Sequence, residues 1–179
     1  MNQKHLIFLA AFCIVTAVAA VWYAAPTFAG PTAAANGSGS LTNGIQPNGR
    51  PFKRQFSFSA RTSADGTVTG NAILHSAFDD GAHGNQPYAL QIDISCMRVV
   101  GNVAFFGGTT RRTTDPNLVD AVYFSIEDNG NPGANNDRLS LAYFFDDDPG
   151  TMGDPQLCQQ IPLGTFPMET INSGNISLR

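Results

Sequence analysis

YALQIDISCMRVVGNVAFFGGTT, residues 88–110, is the stretch that decides the fold of this chain. Tyr88, Leu90, Ile92, Ile94 and Cys96 fall at every second position, with Ala89, Gln91, Asp93 and Ser95 between them. A pleated strand turns successive side chains to opposite faces, so this spacing gathers the first set on one face. Gly101-Asn102 follows, flanked by Val99-Val100 and Val103-Ala104. Both residues tolerate a positive φ, which two-residue hairpin turns require. With the turn there, Val100 opposes Val103 and, counting outward, Cys96 opposes Gly107. Gly107-Gly108 then marks a bulge or a place of close backbone approach.

The same period of two continues on both sides of the hairpin. Phe52, Phe56, Phe58 and Ala60 alternate with Gln55, Ser57, Ser59 and Arg61, and Asp65-Gly66 makes a turn. Val68, Ala72 and Leu74 alternate with Thr67, Thr69, Asn71 and His75. Beyond the hairpin, Val119–Glu127 puts Val122, Phe124 and Ile126 on one face, and 138–145 groups Leu139, Leu141, Tyr143 and Phe145. A long loop is expected over 146–170, then a last strand over 171–178. No window of about 11 residues after Pro51 has the apolar spacing of a helix. The pattern predicts an all-β domain over 51–179, a single antiparallel β-sandwich or flattened barrel of about seven to nine strands. The chain carries 13 Phe. Since most lie in these strands at period two, they read as core.

Residues 1–29 read as a secretory signal peptide, helical in its apolar region if retained. Lys4 and His5 precede the uncharged apolar run Leu6–Tyr23, and Thr27-Phe28-Ala29 offers small residues where a signal peptidase cleaves. A retained membrane anchor is the competing reading, because Leu6–Ala25 is long enough to span a bilayer. Residues 30–50, GPTAAANGSGSLTNGIQPNGR, are rich in Gly, Pro and Asn and read as a flexible linker, with a first edge strand starting at Gly39–Thr42. Removing 1–29 lowers lysine plus arginine from 10 to 9 against 14 acids, and net charge from −4 to −5. Such a balance has no basic stripe for nucleic acid. The pairs Lys53-Arg54 and Arg111-Arg112 are isolated and read as solvated strand edges.

Three groups of residues could carry chemistry. Asp128-Asn129-Gly130, with Asp137 beyond it, brings carboxylates and a carboxamide onto one connection. Asp128, Asn129 and Asp137 are therefore candidate calcium ligands, although turn chemistry alone selects the same residues. His75, Asp79, Asp80 and His83 cluster within nine residues but lack the fixed helical scaffold that metal-binding His pairs use. Asp146-Asp147-Asp148 with nearby Asp154 reads as a solvated acidic turn. No GxSxG, HExxH or P-loop sequence occurs. The only two glutamates, Glu127 and Glu169, lie on different elements. Outside the signal the cysteines are Cys96 and Cys158. An even count in an oxidising compartment predicts a Cys96–Cys158 disulfide.

From Phe56 on, the order of motifs resembles a small domain found in many uncharacterised secreted bacterial proteins. Phe56–Arg61, Asp65–Gly70, Val99–Ala104 and Asp128-Asn129-Gly130 with Asp137 carry the resemblance. It implies an extracellular all-β module with a bridge between cysteines at these positions, and it implies no activity. The expected function is a secreted or cell-surface module that acts by binding or as a structural component, without catalysis. Its partner would be an extracellular or cell-surface component, with a membrane involved only if 1–29 is retained. Two alternatives follow from other outcomes of the same fold. A sheet closed around a hollow lined by Phe and Tyr would make a small-ligand carrier, and two paired carboxylates in a cleft would make a hydrolase.

Overall fold

The computed structural model, which describes residues 32–45, 51–76, 88–145 and 151–179, has the 88–110 hairpin at its centre. The strands are β1 (Ala33–Ile45), β2 (Pro51–Thr62), β3 (Val68–Ser76), β4 (Tyr88–Val100), β5 (Val103–Thr113), β6 (Ala121–Glu127), β7 (Arg138–Ser140), β8 (Met168–Thr170) and β9 (Ser173–Leu178). They form one antiparallel sheet in the order β8-β7-β6-β5-β4-β3-β2-β1-β9, curled into a half-barrel. The described residues include no α-helix, only 3-10 segments at Pro116–Leu118 and Pro155–Gln159. The expectation of an antiparallel sandwich or flattened barrel of seven to nine strands holds in its barrel-like form, one curled sheet of nine strands.

The central turn forms as its residues require. Gly101 takes a φ of 63° while Asn102 does not enter the positive region, which is the pattern of a type II′ hairpin. Val100 pairs with Val103 and Cys96 with Gly107. Between Cys96 and Ile94 the register shifts by one, since Ile94 pairs with Gly108 and Ser95 is the extra residue. This bulge corrects the expected face of Cys96. Leu90, Ile92 and Ile94 join the inner core with Met97, whereas Cys96 turns to the outer face. A second shift at Arg111 restores the register beyond it.

The concave side is filled. Phe56, Phe58, Leu74, Leu90, Ile92, Phe106, Phe124 and Ile126 belong to one buried cluster. The rings of Phe106 and Phe124 stack at 4.7 Å between centroids, and Phe58 lies 5.5 Å from Phe106. Full burial of each such side chain contributes roughly 1.5–3 kcal/mol. The convex side differs between its halves. Over β1–β3 it carries solvated residues such as Asn36, Ser57, Ser59 and Asn71. Over Cys96, the Val103–Gly108 part of β5 and β6 it is covered, so β6 is buried at every position from Ala121 to Ile126.

Three expectations need correction. The segment 30–50, read as a linker, contains the 13-residue strand β1, which lies between β2 and β9 and not at an edge. Its small residues suit that place: a Cβ on Gly39 would run into the Ser173 carbonyl oxygen of β9. The strand expected over 138–145 stops at Ser140, leaving a single bridge between Tyr123 and Tyr143. Leu139 faces the inner core, but Tyr143 packs with the outer cluster. Lastly, Arg54 was read as part of a solvated pair and is buried. The signal segment 1–29 and the groups Asp79, Asp80, His83 and Asp146–Asp148 lie outside the described residues.

Strand order also sorts the connections. The connection 114–120 joins strands at one pole of the half-barrel, the loop pole. Turns 63–67 and 101–102 and the connection 128–137 join them at the other. At that second pole the main-chain N–H of Thr67, and its hydroxyl after it, hold the exposed Asp65 carboxyl below its ordinary 3.8.

Candidate functional sites at the seam, the outer layer and the loop pole

The residues expected to bind calcium lie where the half-barrel meets its last strand. The strands β8 and β9 sit at opposite ends of the sheet order, yet only Ile171 and Asn172 separate them in the chain. The chain therefore runs from β7 across to β1. Ile171 donates to the Asp137 carbonyl at 2.9 Å, and Asn172 donates to the Ser40 carbonyl at 2.8 Å. Strand β7 pairs with β6 on one side and β8 on the other, so it forms no ladder with β9. Carboxylates take the place of the missing strand. Asp137 Oδ2 accepts from Ile176 N at 2.7 Å, and Asp128 Oδ2 accepts from Leu178 N at 2.8 Å.

The remaining oxygens of this group are also committed to N–H donors. Asp137 Oδ1 accepts from Asn129 N at 2.9 Å, Asp128 Oδ1 from Gly130 N at 2.9 Å, and Asn129 Oδ1 from Asn102 Nδ2 at 2.9 Å. An N–H aimed at each oxygen presents positive charge where a cation would have to sit. The structure thus brings Asp128, Asn129 and Asp137 together, but in an arrangement that seals a strand edge. Among the described residues no group of three or more His, Cys, Asp or Glu side chains is placed to hold a metal ion.

On the convex side, residues 141–145 and 151–167 form an outer layer over parts of β4–β6. Cys96 and Cys158 lie at bonding distance, with S–S 1.95 Å and Cα–Cα 6.2 Å, and both are fully buried. Arg98 supports the same attachment. It donates to the carbonyls of Cys158 and Ile161, and its guanidinium lies 4.7 Å above the Phe105 ring. Tyr123 donates its hydroxyl to the Asp154 carbonyl at 2.6 Å, and Asp154 caps the 3-10 helix Pro155–Gln159 by accepting from Gln156 N. Tyr143 stacks on Phe166 at 4.3 Å with planes 5° apart, and Phe145 stacks on Tyr123 at 5.0 Å. Five of the seven exposed large apolar side chains among the described residues lie on this layer or just before β6: Val119, Phe145, Met152, Leu157 and Leu163.

Gly107 sets how closely the layer approaches the sheet. A Cβ there would run into the Pro155 carbonyl oxygen and lie 3.1 Å from Cys158 Cβ. Gly107→Ala is expected to push the 3-10 helix outward and destabilise the fold by about 1–3 kcal/mol. Urea unfolding of the oxidised variant would measure this, and an unchanged midpoint would show that the layer is not seated on Gly107.

At the loop pole sits Arg54, which its place beside Lys53 marks in the sequence as a solvated edge. Arg54 is 8% exposed and points inward, in phase with Phe56, Phe58 and Ala60. Its Nη2 lies 2.5 Å from Oε2 of Glu169 on β8. A small depression of about 10 Å³, room for about one water molecule, lies beside it, lined by Arg54, Leu74, Leu139, Ser140 and Ala142, with Gln55 and His75 completing the lining. Only the phase was available as a signal: position 54 is even-numbered like 56, 58 and 60, so the alternation already put it inside. Glu127, the other glutamate, pairs with Arg138 at 3.1 Å.

Comparison with protein-family models, with curated proteins and with solved structures finds no match to this chain.

Proposed function

We propose that the protein is a secreted or cell-surface β-module that acts by binding or as a structural component, without catalysis. The observation that carries this reading is the outer layer. A disulfide, an arginine and a ladder of stacked rings fasten 141–145 and 151–167 to the sheet, yet Met152 and Leu163 on it remain 60% and 58% exposed. Large apolar side chains left exposed on a fastened surface layer suit a contact face. The buried disulfide pair fits an extracytoplasmic location, and no helix among the described residues is long and apolar enough to cross a membrane. Export through residues 1–29 is part of the proposal.

The packed concave side weighs against a carrier, whose ligand would need the space that Phe56, Phe58, Phe106 and Phe124 fill. The commitments of the carboxylates weigh against a hydrolase. Asp137 holds main-chain amides, while Glu127 and Glu169 are paired with arginines.

A photo-crosslinking residue at Leu163, with the same residue at the solvated Ser57 as control, tests the reading on the surface of producing cells. Saturable crosslinking from position 163 that is lost in Met152→Glu, and absent from position 57, is the expected result. Equal crosslinking from both positions would refute it.

A further inference from the structure

We propose that the uncovered half of the convex side binds an acidic polysaccharide along a diagonal line from Lys53 on β2 to Arg112 on β5. This face is separate from the outer layer, and the inference does not rest on that layer's role. Residues paired across antiparallel strands turn to the same face, so the ladders place the line. Lys53 stands diagonally next to His75, because Gln55, two residues on, pairs with His75. His75 pairs with Ala89, which puts Gln91 at the next diagonal position. Gln91 in turn pairs with Arg112. All four side chains on the line are exposed. Arg111, where the second register shift falls, joins the same face by reaching Asp93 at 3.8 Å. Ser57 lies off the line, four residues beyond Lys53 on β2.

Charge and place together point to the ligand. The chain has a net charge of −4, yet the described strand positions of this face carry the cations Lys53, Arg61, Arg111 and Arg112 against one acid, Asp93. Neither Lys53 nor Arg112 has an ion-pair partner among the described residues. Charges at a sheet edge discourage pairing with another chain, but β2 and β5 are interior strands, so edge protection does not account for these two. With strands ~4.8 Å apart and a rise of ~3.3 Å per residue, Lys53 and Arg112 stand roughly 20 Å from each other. One small anion cannot bridge that span, whereas a polymer of repeating acids can. Between the cations, Gln55 and Gln91 offer both donors and an acceptor to sugar hydroxyls. No Phe, Tyr or Trp stands at the described positions of this face to stack a nucleic-acid base. Its one large exposed apolar residue is Ile73, too little to enter a bilayer.

Polygalacturonate is the probe, titrated into the full chain by calorimetry at low salt. Its monomer galacturonate, the neutral polymer dextran and single-stranded DNA are run alongside it. Saturable binding of polygalacturonate alone, weakening as salt is added, is expected. The Lys53→Gln, Arg112→Gln double variant should bind about tenfold more weakly. Arg61→Gln removes a cation from the far end of β2, off the line, and should leave affinity within about twofold. Asp93→Asn removes the one acid on the face and should tighten binding, an effect that a merely solvated surface would not give. These side chains are exposed, so the variants keep the fold, which a thermal melt verifies. Absence of saturable polygalacturonate binding at low salt would overturn the proposal. So would dextran, DNA or the monomer binding as tightly as the polymer, or a double variant no weaker than Arg61→Gln.

Discussion

Asp137→Ala is expected to lose about 4 kcal/mol of folding stability, a fall in melting temperature of roughly 10–15 °C. The carboxylate is fully buried and both of its oxygens are used, one by Asn129 N and one by Ile176 N. Truncation leaves two inward-facing N–H groups without acceptors, and each unsatisfied group costs roughly 1–3 kcal/mol. Typical domains have only about 5–15 kcal/mol in total. The damage would be directional. Ile176 is on β9, so the strand that closes the sheet against β1 would lose its hold on the opposite side. The freed edge would then be open to pairing with a second chain, and aggregation should accompany the loss. Asp137→Asn keeps one acceptor and turns an NH2 toward the other N–H, so about half the effect is expected. Urea unfolding by circular dichroism with light scattering would measure both consequences. A loss below about 1 kcal/mol for the alanine variant would mean that the seam does not rest on this carboxylate.

The same residues show what could be read from the chain and what could not. The hairpin was legible because its information is local: apolar residues at every second position and a Gly-Asn turn fix face and register together. The extra residue at Ser95 was not legible. A bulge leaves the spacing of apolar residues intact while reversing which side Cys96 faces, so the correct pairing of Cys96 with Gly107 coexisted with the wrong face. Strand β1 was hidden by its composition. It has few large apolar residues, and its order comes from neighbours on both sides that lie far away in sequence. Asp128, Asn129 and Asp137 stand out in the sequence as candidate calcium ligands because they share one connection. A sequence displays oxygen acceptors, however, and not the N–H groups that approach them from β9. Arg54 was the opposite case. The phase of β2 placed it inside, but a neighbouring lysine made a solvated edge seem the simpler account.

Breaking the Cys96–Cys158 bridge should have an effect of similar size. The Cys96→Ala, Cys158→Ala double variant is expected to lose about 4 kcal/mol, the chain-entropy value for a loop closed by residues 62 apart. The outer layer should remain docked in the folded state. Arg98 still reaches the carbonyls of Cys158 and Ile161, Gln159 Nε2 still reaches the Met97 carbonyl at 3.2 Å, and the Tyr143–Phe166 stack does not involve the sulfurs. Near-ultraviolet dichroism of Tyr123 and Tyr143, whose rings belong to that layer, should therefore be retained under native conditions while the urea midpoint falls. The effect is global and not confined to the layer because Phe105 and Tyr123 are buried between the layer and the strands that carry the inner core on their other face. Detaching the layer would expose one side of β5 and β6, and these are the strands that seat Phe106 and Phe124. If amide exchange rose only over 155–167 while the unfolding midpoint stayed put, the layer would be an independent flap. The two faces of the central strands would then be energetically separate.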